Sequence, residues 1–167
     1  TTESISKAVQ CLGRRYVGYF NFLHKRTGTL WESRFWSCVV DAERYFFTCQ
    51  RYIELNPVRA GICAGPEDFA WSSYRRYAHG RADDLVTPHS LHAEHQAFGP
   101  VYQGMFAETI STAMLERIRD TVRHGWPLGD RAFCDRVAKQ SGRRSERESV
   151  GRKPREPELS KWESDPN

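Results

Sequence analysis

The sequence predicts an α+β fold, on three observations. Apolar residues recur at spacings of three and four between residues 4 and 25. The stretch LWESRFWSCVV (30–40) is rich in aromatics and ends in two valines, the composition of an extended segment. A second helical pattern then runs from Ala42 to Leu55 and is cut by Asn56-Pro57, because a residue before proline avoids the helical region.

The first helix carries Ile5, Val9, Leu12, Tyr16, Tyr19, Phe20 and Leu23 on one side. Ser4 is placed to cap it, and Thr27-Gly28 to stop it. Gly13 and Gly18 weaken it by about 1 kcal/mol each relative to alanine. Asp41 is the N-cap of the second helix, whose apolar stripe is Tyr45, Phe46, Cys49 and Ile53. A short turn, Val58 to Ala60, ends at Gly61, and Pro66-Glu67-Asp68 opens a further helical piece. Residues 79–99 read as a loop, with 81–99 as a linker. Helices are then predicted over Val101–Glu108, Thr112–His124 (stopped by Gly125) and Arg131–Gln140 (capped by Asp130). These make residues 100–141 a small helical region compatible with a helix-turn-helix. Residues 142–167 are charged and poor in apolar side chains, the composition of a disordered tail.

Composition narrows the function classes. No run of about 18 apolar residues exists to span a membrane, and the start has no signal-peptide pattern, so a cytoplasmic protein is expected. The five cysteines are widely spaced without a C-x-x-C pair, which argues for reduced thiols rather than a zinc knuckle or a disulfide framework. Net charge is +4, and all of that excess lies in residues 1–78, which hold eleven Lys/Arg and seven Asp/Glu. Basic residues interleaved with Trp and Tyr suit phosphate contact and base stacking. Trp31, Trp36 and Trp71 are nevertheless read first as core residues.

RYIELNPVRAG (51–61) carries the chemistry. Tyr52 and Asn56 are four apart on a helix, one turn apart on one face. A free tyrosine has a pKa near 10, so about 0.1% is phenolate at pH 7, and reaching that form costs about 4 kcal/mol. A divalent cation on a phosphodiester would stabilise the developing charge, and an amide oxygen such as that of Asn56 is a legitimate but weak ligand for it. A lone helical tyrosine beside apolar neighbours is more often a core residue.

Three segments change that balance. GTLWESRFWSCVVD (28–41), RYIELNPVRAGIC (51–63) and PEDFAWSSYRRY (66–77) resemble, in order and spacing, the conserved run of the REP-associated tyrosine transposases, relatives of the Y1-type single-strand transposases. The resemblance covers residues 1–78, and the later helices and the GRR/GRKPR tail (142–155) resemble the family's C-terminal region less distinctively. It implies a ferredoxin-like catalytic domain with Tyr52 as nucleophile and Asn56 as a metal ligand. It also implies a magnesium or manganese cofactor and a single-stranded or hairpin DNA substrate. The family reaction cleaves and rejoins DNA through a 5′-phosphotyrosine, and family members are monomers or dimers, so a homodimer is possible. A bacterial, nucleoid-associated location follows. Arg34, Arg51, Arg59, Arg75 and Arg76 are the candidates for phosphate contact, by charge and position.

One family feature is missing. The family holds its metal mainly with a His-hydrophobic-His pair on a strand, and no H-x-H occurs in this sequence. In the family that motif lies upstream of the segment matching residues 1–25, with most of the sheet. The sequence, which begins at Thr1, is therefore read as the C-terminal part of such a transposase, residues 1–80 being a catalytic domain truncated at its N-terminal sheet. The alternative is a DNA-binding remnant without catalysis. His89, His92 and His95 are three apart, a spacing that can hold zinc on a helix. The loop-like setting and the lack of a completing carboxylate or thiol argue against that. His24, His79 and His124 read as surface residues.

Overall fold

The computed structural model of the 167-residue chain describes residues 2–32 and 35–146. Among these, the regular structure is helical: α1 Thr2–Leu23, α2 Ala42–Glu54, α3 Asn56–Arg59, α4 Tyr74–His79, α5 Ser90–Glu94, α6 Gly99–Gly104, α7 Thr112–His124 and α8 Arg131–Ser141. A 3-10 turn, Pro66–Asp68, lies between α3 and α4.

The α+β, ferredoxin-like expectation is overturned: the described residues form no strand and no sheet. Residues 30–32 and 35–40 are non-helical, and among the described residues they pair only through an isolated parallel bridge between Val40 and Leu128. Leu128 N–H donates to the Val39 carbonyl and Asp41 N–H to the Leu128 carbonyl, both at 2.8 Å. A strand needs a run of partner groups. Here Pro127, which has no N–H, precedes Leu128, and Asp130 already caps α8, so pairing stops at one residue.

Helix ends follow local chemistry closely. α7 starts where Ser111 accepts the Met114 N–H and stops at Gly125, whose φ of +69° suits glycine. α8 starts where the Asp130 carboxylate accepts the Phe133 N–H at 2.8 Å. Asp41 stands at the start of α2 without a side-chain cap, its carboxylate lying 3.9 Å from Arg44 instead. α1 begins at Thr2, which puts Ser4 inside the first turn and not at the cap.

The core is aromatic and spans both halves of the sequence. Tyr74, Tyr77 and Ala78 on α4 pack against Ala97 and Tyr102, with Phe47, Val86, Met105 and Phe106 around them. The segment 81–99, read as a linker, contributes buried Leu91, His92 and Ala97, and contains α5. Arg44 of α2 also pairs with Asp130 at 2.7 Å. No described helix is long and apolar enough to cross a membrane.

Three expectations about single residues change. Ile53, assigned to the apolar stripe of α2, is 65% exposed, whereas Glu54 is 1% exposed. The buried side of α2 is rotated by one residue because Glu54 finds hydrogen-bond partners inside. Trp31, Trp36 and Trp71, read first as core, are 54%, 62% and 89% exposed. With no sheet beneath residues 30–32 and 35–40, Trp31 and Trp36 stay more than half exposed, Trp31 lying only along α1 with its ring centre 6.2 Å from that of Tyr16. The tail expectation for residues 147–167 lies outside the described residues.

Candidate nucleic-acid interface

The end of α2 and the start of α3 are one helical path with a kink. Leu55 is at once the C-cap of α2 and the N-cap of α3, with φ −84° and ψ −4°. Pro57 is buried in the first turn of α3, where its missing N–H costs nothing. The path therefore continues past the proline, and Tyr52, Asn56 and Arg59, spaced by four and three, share one face.

On that face Tyr52 is half-buried, while Asn56 and Arg59 are exposed. The Arg59 guanidinium lies 4.6 Å from the centre of the Tyr52 ring. Its Nη2 donates to the Tyr52 carbonyl at 2.5 Å, which satisfies a backbone acceptor in the last turn of α2. Burial lowers the pKa of Arg59 from its ordinary value, Tyr52 opposes that shift, and Arg119 of α7 reinforces it. Arg119 thus carries a second positive charge close enough for Arg59 to feel it. The sequence reading missed it because it sits in a distant, charge-balanced half of the chain.

The other predicted arginines are placed differently. Arg51 turns its guanidinium to the Glu108 carbonyl, and its Nε is buried without a hydrogen-bond partner. Arg75 Nε donates to the Glu67 carbonyl at 2.7 Å. Arg76 is half-buried on α4, where its charge acts on the neighbouring Tyr77 phenol. Arg34 lies outside the described residues.

Directly behind Tyr52 is a buried polar network. Glu54 accepts from Ser73 Oγ at 2.5 Å and from the Tyr102 hydroxyl at 2.7 Å. Gln50 also bonds its carboxylate and faces His92 Nε2 through Oε1 at 2.9 Å. His92 stacks on Tyr77 with ring centres 3.9 Å apart and 2° between planes. Burial raises the Glu54 pKa, and its three hydrogen-bond donors only partly offset this. Burial also lowers the His92 pKa, so the imidazole is neutral at pH 7. The network fixes the rotation of α2 against α4, α5 and α6, and so decides which side of α2 faces out. Neither Glu54 nor its partners stood out in the sequence, since a glutamate in a helix normally faces solvent.

Asn56 alone is too weak a ligand to hold a magnesium or manganese ion. Among the described residues, no three His, Cys, Asp or Glu side chains come together as a metal site. His89, His92 and His95 do not converge either: His92 is buried against Tyr77, and His89 caps α5 through its ring. The cysteines form no disulfide, and burial raises the thiol pKa of Cys38, Cys134 and Cys49, the last to about 11, which keeps these three as thiols at neutral pH. No family model, curated protein or solved structure matches this chain.

Proposed function

We propose that this chain is a transposase-like DNA-binding protein that takes single-stranded or hairpin DNA on the Tyr52–Asn56–Arg59 face. The observation that carries the reading is the Arg59 guanidinium lying over the Tyr52 ring, with Arg119 adding a second cation. A cation held against an aromatic ring offers a phosphate contact beside a stacking surface. The exposed Trp36 and Trp71 support it as further stacking surfaces. The resemblance of the three segments to the REP-associated tyrosine transposases supplies the substrate class and a place on the bacterial nucleoid.

Strand cleavage is the second reading, favoured by the half-exposed position of Tyr52 at the end of α2. The Tyr52 hydroxyl loses its proton as its oxygen attacks phosphorus, the bond from phosphorus to O3′ breaks, and O3′ takes up a proton in exchange. The products are a 5′-phosphotyrosine and a free 3′ hydroxyl, which can reverse the step and reseal the strand. Arg59 and Arg119 would offset the charge that develops on the phosphate oxygens.

Two assays test this. Labelled hairpin DNA is titrated with the protein by fluorescence anisotropy, and Arg59→Ala is expected to weaken binding and reduce its salt dependence. The same DNA is incubated with manganese or magnesium and resolved under denaturing conditions. An adduct absent in Tyr52→Phe supports cleavage. Binding without an adduct supports the binding reading, and no binding to any single-stranded or hairpin DNA overturns both.

A further inference from the structure

α8 carries a charge that the residues before it lack. Residues 79–130 hold four Lys/Arg and seven Asp/Glu, a net −3, whereas residues 131–146 hold five and two, a net +3. The sign changes where α8 begins, and none of its eleven residues is buried. Phe133, Cys134, Val137 and Ala138 make a half-buried inner side, while Arg131, Ala132, Asp135, Arg136, Lys139 and Gln140 are exposed. At 3.6 residues per turn, Ala132 and Lys139 share the centre of that outer face, with Asp135 and Arg136 on either side. Asp135 is four residues from both Arg131 and Lys139, yet among the described residues Arg131, Arg136 and Lys139 form no ion pair. The inner side is fastened down. Asp130 caps α8 and pairs with Arg44 of α2 at 2.7 Å, Cys134 Sγ donates to the Pro127 carbonyl at 3.5 Å, and Arg117 of α7 donates to the Gly129 carbonyl. Arg44 stands eight residues before Tyr52, about 12 Å along α2, so the α8 face is separate from the Tyr52–Arg59 face.

We infer that the outer face of α8 is a second nucleic-acid surface, one that takes double-stranded DNA by its major groove. Charge, shape and residue type each point to that occupant. Duplex DNA carries one negative charge per about 1.7 Å of axis, and α8 offers cations over a length of about 16 Å. A helix about 10–12 Å across fits a groove about 12 Å wide. Ala132, at the centre of the face, has no side chain beyond its methyl group and lets the backbone come close. Around it stand the side chains that read base edges: Arg136 and Lys139 for guanine, Gln140 for adenine and Asp135 for cytosine. An acidic protein surface would meet Asp135 with like charge, whereas the groove offers it the cytosine amino group.

The test titrates the full chain against a labelled blunt-ended duplex, and separately against an unpaired single strand, by anisotropy at about 50–200 mM salt. Duplex binding is expected to weaken with salt, and Arg136→Ala and Lys139→Ala each to reduce the slope by about 1. The double variant Arg136→Glu/Lys139→Glu should lose the duplex and keep the single strand, while Arg59→Ala does the reverse. Asp135→Asn should tighten duplex binding, a gain that no folding defect produces. Duplex binding lost in the double variant, with no single-strand binding by any chain, supports this inference while overturning the Tyr52 one. No duplex binding at about 50 mM salt overturns the inference. So does a slope unchanged in both alanine variants, equal loss of both DNAs in the double variant, or tighter retention of polyglutamate than of the duplex.

Discussion

Replacing Tyr102 by phenylalanine tests whether the buried network holds α2 in place. The Tyr102 hydroxyl donates to Glu54 at 2.7 Å, and both side chains are 1% exposed. Removing the hydroxyl leaves a buried carboxyl oxygen short of one donor, which costs about 1–3 kcal/mol. For a chain of this size, each 1 kcal/mol lowers Tm by roughly 2–4 °C, so a drop of about 4–8 °C is expected from the middle of that range. Glu54→Gln supplies the second arm. Burial raises the Glu54 pKa in the folded state, so its favourable contribution is complete below the unfolded carboxyl pKa, near 4.3, and declines as pH rises through the folded value. Glutamine has no such titration, so the stability difference between wild type and Glu54→Gln should shift against wild type as pH rises. The two sites touch, and a double-mutant cycle should show about 0.5–3 kcal/mol of coupling by urea denaturation. Additive effects together with a pH-independent difference would refute the reasoning, because the carboxyl would then not be held in a closed network.

Four further outcomes are expected. Ser111→Ala removes the cap that accepts the Met114 N–H and should destabilise the chain by about 1 kcal/mol, read by urea denaturation. The Phe133 N–H, followed by Arg44 among the favourable contacts, holds the Asp130 carboxyl below its usual pKa, so its contribution is present above pH ~3.9 and lost as pH falls through the folded value. Asp130→Asn, still able to cap α8, should flatten the acid limb of the stability profile measured by circular dichroism. Gly125→Ala must adopt a φ of +69°, with the Ser37 carbonyl at an ordinary contact distance of 3.6 Å, so the backbone strain alone should cost about 1 kcal/mol in thermal melts. Trp71→Ala, at an 89% exposed site, should leave Tm unchanged and weaken single-stranded DNA binding by about 1–3 kcal/mol, measured by anisotropy.

Elements governed by nearby residues were legible in the sequence. α2, α7 and α8 begin and end within a residue or two of where the apolar spacing, Asn56-Pro57, the Gly125 stop and the Asp130 cap put them, because those interactions span only three or four residues. The helical face shared by Tyr52 and Asn56 was legible for the same reason. The strand was not, since a strand exists only through its neighbours, and residues 30–40 find just Leu128. The short helix α5 was hidden in a polar stretch, and what holds it is tertiary: Leu91, His92 and Ala97 reach a core built by residues distant in sequence, such as Tyr77 and Phe47.

By itself, then, the sequence determined the helical periodicity, the Asp130 cap, the Gly125 stop and the basic, aromatic character of the first half, all of them local properties. Tertiary structure decided the roles of individual side chains. It buried Glu54 and exposed Ile53, because Ser73, Tyr102 and Gln50 could compensate a carboxyl where solvent was excluded. It tied Arg51, Arg59 and Arg75 each to a backbone carbonyl, Arg59 also lying over the Tyr52 ring. Such choices depend on which groups meet across long separations, and no short-range pattern encodes them.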